Sequence, residues 1–160
     1  MKYRTNSIFY TVLVLILAES VEGYINWGWC PFTKPSAVGN FDVNRYTGSW
    51  YEIIRDKDLW YENGLNCVTA TYKLNSSPFY PIDVNNRNYK DGVVKDPTFY
   101  GLTYSWARCD SSGNCNVKFW WYPEGNYQVL ATDYSTYALV YGCDTWGVFY
   151  TNQAWILSRT

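Results

Sequence analysis

The chain has 160 residues, 13 basic and 14 acidic side chains, a formal net charge of −1 and no histidine. This composition excludes catalytic pairs that use histidine and removes the commonest metal ligand. It also lacks the basic excess that recruits nucleic acid. We therefore expect no enzyme, no metal or cofactor site and no nucleic-acid partner.

The N-terminal segment has the layout of a secretory signal peptide over residues 1–23. Lys2 and Arg4 precede an apolar run from Ile8 to Ala18, and small residues suited to cleavage follow. The alternative is a membrane anchor, but a spanning helix needs about 20 apolar residues and this run is shorter. We expect a secreted, extracellular protein with one domain over residues 24–160 and no stable membrane span.

The rest of the chain shows short alternating runs separated by Gly, Pro, Asn and Asp, which is typical of an all-β protein. Hairpin-type turn signals occur at Asp91-Gly92 and at Asp110-Ser111-Ser112-Gly113. The predicted strands are Ser49–Asp56, Cys67–Asn75, Ile82–Lys90, Thr98–Arg108, Asn116–Tyr122, Tyr127–Asp133, Tyr137–Cys143 and Gly147–Arg159. Eight such strands joined by hairpins favour an antiparallel up-and-down β-barrel.

Alternation along each strand predicts which side chains face the interior, because successive residues point to opposite sides. Lys73 marks the outer face of the second strand and Lys118 that of the fifth. The residues on the opposite faces are Val68, Ala70 and Tyr72 in the second strand, and Val117, Phe119 and Trp121 in the fifth. In the last strand Gln153, Trp155 and Leu157 share one face.

The third strand is open to two interpretations. Val84, Asn86 and Asn88 share one face. If Val84 points inward, the two asparagines give an apolar pocket a few polar groups, which is common in small-ligand sites. The alternative is a solvated edge strand in which neither face matters.

Three segments carry a family resemblance. They are Gly48-Ser49-Trp50 at the start of the first strand, Thr132-Asp133-Tyr134 between two late strands, and Arg159 at the end of the last strand. In this order and at these gaps they resemble the three sequence signatures of the lipocalin family. The residues that lead into them, Asn40–Tyr46 and Leu130–Ala131, resemble the apolipoprotein D-like group. The resemblance implies a barrel that carries a small hydrophobic molecule, with Tyr72 and Trp155 on the cavity wall.

The signature residues have physical roles that are structural. Gly48 allows a sharp turn before Trp50, whose large ring plugs one end of the barrel. Closure of the barrel puts the last strand beside the first, so the Arg159 guanidinium can lie over the indole as a cation–π contact. Asp133 is expected to accept backbone N–H groups in its turn.

Five cysteines in a secreted chain favour disulfides with one thiol left over. The absence of a Cys-x-x-Cys spacing and of histidine argues against zinc. The resemblance implies a bridge between Cys30 and Cys143. Cys109 and Cys115 flank a tight turn and suit a local hairpin bridge.

Cys67 is the cysteine left over. In the relatives, a cysteine at this place pairs with one in a tail beyond the last strand, whereas this sequence stops at Thr160. We therefore expect a shortened or incomplete chain that lacks the tail and the usual C-terminal helix. A free Cys67 thiol would allow two chains to link through a disulfide or to associate without one.

The leading hypothesis is a secreted carrier that binds a lipid, fatty acid, sterol or pigment in the barrel. The candidate ligand-binding residues are Val68, Ala70, Tyr72, Val84, Asn86, Asn88, Phe119, Trp121, Trp155 and Leu157. One alternative is a lipocalin-fold isomerase that uses the Cys67 thiol, and another is an interaction protein whose barrel is filled by its own aromatic side chains. Asn75-Ser76-Ser77 is a sequon for N-glycosylation.

Overall fold

The computed structural model describes residues 25–32, 35–56, 65–90, 93–95, 104–119 and 123–160. The elements in these ranges are β1 (Ile25–Trp27), α1 (Val43–Tyr46), β2 (Gly48–Arg55), β3 (Asn66–Leu74), β4 (Ile82–Lys90), β5 (Val93–Lys95), β6 (Tyr104–Cys109), β7 (Asn114–Phe119), β8 (Gly125–Thr132), β9 (Tyr137–Trp146) and β10 (Phe149–Ser158). No helix in this part of the chain is both long and apolar enough to cross a bilayer.

Eight of the strands close a barrel. The hydrogen-bonded order is β2-β3-β4-β6-β7-β8-β9-β10, every neighbouring pair is antiparallel, and β10 pairs with β2 to complete the ring. The predicted eight-stranded antiparallel barrel is therefore confirmed. The alternative of a solvated edge strand for the third predicted strand is wrong, because β4 lies between β3 and β6.

Two short strands extend the wall and were not predicted from the sequence. β1 pairs with the first residues of β10, and β5 pairs with the last residues of β4. Each has three residues, too few for an alternating pattern to show. β10 therefore has β1 on one flank near its start and β2 on the same flank near its end.

The observed strands lie close to the predicted ones, with one clear difference. The sequence predicts an end at Cys143 and a new start at Gly147, whereas β9 continues to Trp146 and the hairpin turns at Gly147 and Val148. Gly147 has a φ of +69°, so the residue placed inside a predicted strand makes the turn instead.

Several predictions lie outside the described residues. They are the signal peptide, the Asp91-Gly92 turn, the first half of the fourth predicted strand, and the end of the fifth with Trp121. The second turn signal lies in the described part and forms the β6–β7 turn. There Asp110 accepts the N–H groups of Ser112 and Asn114, and Gly113 has a φ of +85°.

Candidate functional site

One end of the barrel is closed by Trp50 and Arg159. The Trp50 side chain is fully buried, and its indole N–H donates to the Tyr46 carbonyl at 2.9 Å. The guanidinium carbon of Arg159 lies 3.7 Å from the centre of the Trp50 ring, a cation–π contact that stabilises the closed end by about 0.5–2 kcal/mol.

Arg159 also ties together three segments of the backbone. Its nitrogens donate to the carbonyls of Tyr134, Ser49, Arg45, Tyr46 and Thr47. Gly48 passes close to this group with a φ of +95°, and a Cβ added there would stand 3.1 Å from the Arg159 side chain. The glycine is thus required by both its backbone conformation and its neighbour.

The Thr132-Asp133-Tyr134 turn lies beside the plug, which is formed by the Trp50 and Arg159 side chains. Asp133 accepts the backbone N–H groups of Ser135, Thr136 and Tyr137. A hydrogen bond from the Thr136 hydroxyl, followed by the backbone donors, holds the pKa of the Asp133 carboxyl well below its usual range. Tyr134 adopts a φ of +68° and its carbonyl receives the Arg159 Nε–H, so the turn and the plug form one structural unit.

Two buried tyrosines, Tyr46 and Tyr72, and the partly buried Tyr127 fill the interior above Trp50. The Tyr127 hydroxyl lies 2.8 Å from that of Tyr46 and 3.0 Å from that of Tyr72. Burial raises the pKa of Tyr72 to about 12 and those of Tyr46 and Tyr127 well above their ordinary value, so all three stay neutral. Beside them lies a cavity of about 10 Å³, room for at most one water molecule.

The inner face can be followed from the strand pairing, because residues directly opposite on neighbouring strands share a face. Ala70 lies opposite Trp50 on one side and Asn86 on the other. Trp155 lies opposite Val140, which is fully buried in the core. Among the predicted ligand-binding residues, the pairing places Ala70, Tyr72, Val84, Asn86, Phe119, Trp155 and Leu157 on this inner face. Alternation along β3 and β4 adds Val68 and Asn88.

These residues divide between two depths. Tyr72, Val84 and Leu157 are buried members of the hydrophobic core at the closed end. Ala70 and Trp155 pack against that core and are only partly buried. The stacked rings of Trp155 and Tyr127, with centres 6.4 Å apart, therefore mark the upper limit of the filled part.

Comparisons with known proteins agree with this architecture. The family model of the lipocalin-like domain matches residues 41–160. The chain belongs to the lipocalin family. It is 37% identical to apolipoprotein D of Bos taurus, with 92% of this chain and 79% of that protein covered. The Lazarillo protein of Schistocerca americana is 30% identical, with 94% and 69% covered. Among solved structures, insecticyanin of the tobacco hornworm Manduca sexta superposes with a TM-score of 0.65 at 28% identity, covering 85% of this chain and 71% of that one.

The sequence reasoning missed an ion pair on the inner face of this lipocalin. Arg55 donates to the Glu52 carboxylate at 2.6 Å and to the Leu65 carbonyl at 3.0 Å. Alternation from Trp50 would have placed Glu52 inward. Arg55 reaches the same face only because the β2–β10 register shifts by one residue, which sets Arg55 opposite Trp155.

The sequence patterns also predict no role for other buried polar residues of the barrel wall. Thr151 and Gln153 on β10 are each 7% exposed, and Ser105 on β6 is 3% exposed. Ser105 lies opposite Val84, and Gln153 lies opposite Gly142. Alternation predicts that Gln153 shares the face of Trp155, but Gln153 is not among the candidate ligand-binding residues. The upper interior is therefore more polar than the aromatic composition suggests.

Two disulfides join the cysteine pairs named from the sequence. Cys30–Cys143 fastens the segment before the barrel to β9, and Cys109–Cys115 links opposite residues of β6 and β7. Cys67 is free and exposed, with a φ of +50° where β3 shifts its register against β4.

The Asn75 side chain of the sequon takes part in the β3–β4 turn. Its amide donates to Asp83 at 2.6 Å and its carbonyl accepts the Ser77 N–H at 2.7 Å.

Proposed function

We propose that this lipocalin is a secreted, non-enzymatic carrier that holds a small hydrophobic ligand in the upper half of its barrel. The observation that carries the proposal is the closed end: Trp50 and Arg159 seal it, and the tyrosine cluster fills the space above. A ligand therefore enters from the opposite end and rests on Trp155 and Tyr127. Membership of the lipocalin family supports the same function.

The geometry of Trp155 suits it to be the floor of this site. Its ring packs against Tyr127 and the core, and the residue as a whole is only partly buried. Covering that remaining apolar surface with a ligand contributes about 25 cal/mol for each Å² removed from water. Binding would come from this burial, with polar groups of the wall setting orientation.

Secretion is supported by the same cysteines that support the fold. Disulfides form and persist in oxidising compartments, and this chain has two within its described residues. The expected signal peptide agrees with export.

Comparing the mass of the secreted protein before and after enzymatic removal of N-glycans tests the Asn75 sequon.

Native mass spectrometry of the secreted protein, followed by organic extraction, tests the carrier function. We expect one lipophilic molecule per chain, and we expect Trp155→Ala to lower its occupancy by about tenfold, a loss of about 1.4 kcal/mol. Ile156→Ala is the matched control, because Ile156 is the next residue on β10 and is exposed on the outer face.

Other outcomes would contradict the proposal. A protein that is secreted empty and whose tryptophan fluorescence is not quenched by fatty alcohols, fatty acids, sterols or pigments would favour a filled barrel and an interaction role. Loss of a measurable isomerase activity on alkylation of Cys67 would favour the enzyme. For a carrier, alkylation of this exposed thiol leaves ligand occupancy unchanged.

A further inference from the structure

Two buried amides on the inner face have carbonyl oxygens that no described group satisfies. Asn88 is 3% exposed and Gln153 is 7% exposed. The Asn88 Oδ1 and the Gln153 Oε1 have no hydrogen-bond partner within the described part of the chain. A buried carbonyl left without a donor destabilises a protein, so two such groups on the inner face call for an explanation.

Both residues lie above the filled part of the barrel. Asn88 follows Val84 along β4 away from the closed end, and Gln153 precedes Trp155 on β10, which runs toward the closed end. Gly142 lies directly opposite Gln153, and a Cβ there would stand 2.8 Å from the Gln153 amide nitrogen. The glycine leaves space for the amide to lie across the inner wall.

The inward-facing ion pair of Arg55 and Glu52 does not offer a free cation to a ligand's carboxylate. The Arg55 guanidinium is already engaged by the Glu52 carboxylate and the Leu65 carbonyl. An ionised carboxylate has only acceptor oxygens, so it offers no donor to the Asn88 and Gln153 carbonyls and sets a negative charge against their oxygens.

We propose that the ligand is an apolar molecule carrying a hydroxyl or N–H donor, which it presents to the Asn88 or the Gln153 carbonyl, and that the site rejects the matching carboxylate. This inference rests on the carrier function proposed above and names the class of its ligand. A site built to hydrogen-bond a donor discriminates strongly against an analogue without one, because the polar groups of the wall are then left unpaired.

Three probes with the same sixteen-carbon chain test the proposal: hexadecan-1-ol, methyl hexadecanoate and hexadecanoate at pH 7. Each is titrated against the secreted, delipidated protein loaded with Nile red, a neutral dye whose displacement reports binding. We expect the alcohol to bind about tenfold tighter than the methyl ester, the value of one satisfied buried hydrogen bond. The carboxylate should bind more weakly than the alcohol.

The double variant Asn88→Leu/Gln153→Leu should reduce the preference for the alcohol over the ester to less than twofold. Gln128→Leu is the matched control. Gln128 is also a buried amide with an unpaired Oε1, but it lies between the inward-facing Tyr127 and Val129 and so points to the outer side of the wall. Circular dichroism establishes that each variant is folded, and Gln153→Leu alone serves if the double variant is not.

The outcomes separate the two proposals. Equal binding of the three probes, tightest binding of the carboxylate, or an alcohol preference that survives in the double variant overturns the ligand class while the carrier function stands. Failure of all three probes to displace Nile red overturns the ligand class, whereas failure of the delipidated protein to bind the dye itself counts against the carrier function.

Discussion

The two halves of the barrel interior differ in whether their buried polar groups have hydrogen-bond partners. At the closed end, the Trp50 indole donates to a backbone carbonyl and the hydroxyls of three tyrosines bond to one another. Toward the open end, Asn88 and Gln153 are just as buried, yet their carbonyls have no partner among the described residues.

This difference distinguishes residues that stabilise the fold from residues that recognise the ligand. A buried polar group that is satisfied within the protein rigidifies the core, whereas one that is unsatisfied lowers stability until a ligand supplies the partner. Substitutions at the closed end should therefore act mainly on folding. Substitutions in the upper half should act mainly on binding, and some should even stabilise the empty protein.

The two inward-facing tryptophans give the largest expected contrast. Trp50→Ala removes a fully buried ring and should lower the free energy of unfolding by about 3–5 kcal/mol. Trp155→Ala removes a partly buried ring and should lower it by roughly half as much, since less apolar surface is lost. Urea denaturation of both variants measures these values. Equal losses would contradict the division of the interior.

A pair of smaller substitutions should have opposite signs. Tyr127→Phe leaves the hydroxyls of Tyr46 and Tyr72 without their shared partner and should destabilise the protein by about 1–3 kcal/mol. Gln153→Leu removes an unpaired carbonyl and should leave the delipidated protein unchanged or more stable by about 1 kcal/mol. Thermal denaturation without ligand compares them, and a destabilised Gln153→Leu protein would show that its amide is satisfied after all.

The smallest effect is expected at Asp133 and depends on pH. Its folded-state pKa lies below that of the unfolded chain, so its contribution is present in full above about pH 4, the ordinary aspartate value. The contribution declines as the pH falls further, because the unfolded state then binds the proton more readily. The difference in unfolding free energy between wild type and Asp133→Asn should shrink from pH 7 to pH 3. A difference that is constant over this range would contradict the assignment.

Much of the barrel could be predicted from local patterns. Alternation located strands, sorted Tyr72 onto the inner face and grouped Trp155 with Leu157, because a period of two depends only on neighbouring residues. It left the direction of Val84 open. The extent of the β9–β10 hairpin was mistaken, since Gly147 stands in an alternating run and only its backbone conformation reveals the turn. The polar upper wall was recognised only in part, through Asn86 and Asn88.

By itself the sequence determined the strand pattern, the turn residues and the signature residues that close one end. Tertiary structure alone decided how deep each inward residue lies and whether its polar atoms are satisfied. The register shift that turns Arg55 inward beside Glu52 arises from pairing with β10, about 100 residues later in the chain. Closure of a barrel joins strands that are distant in sequence, and no local pattern records which groups then meet.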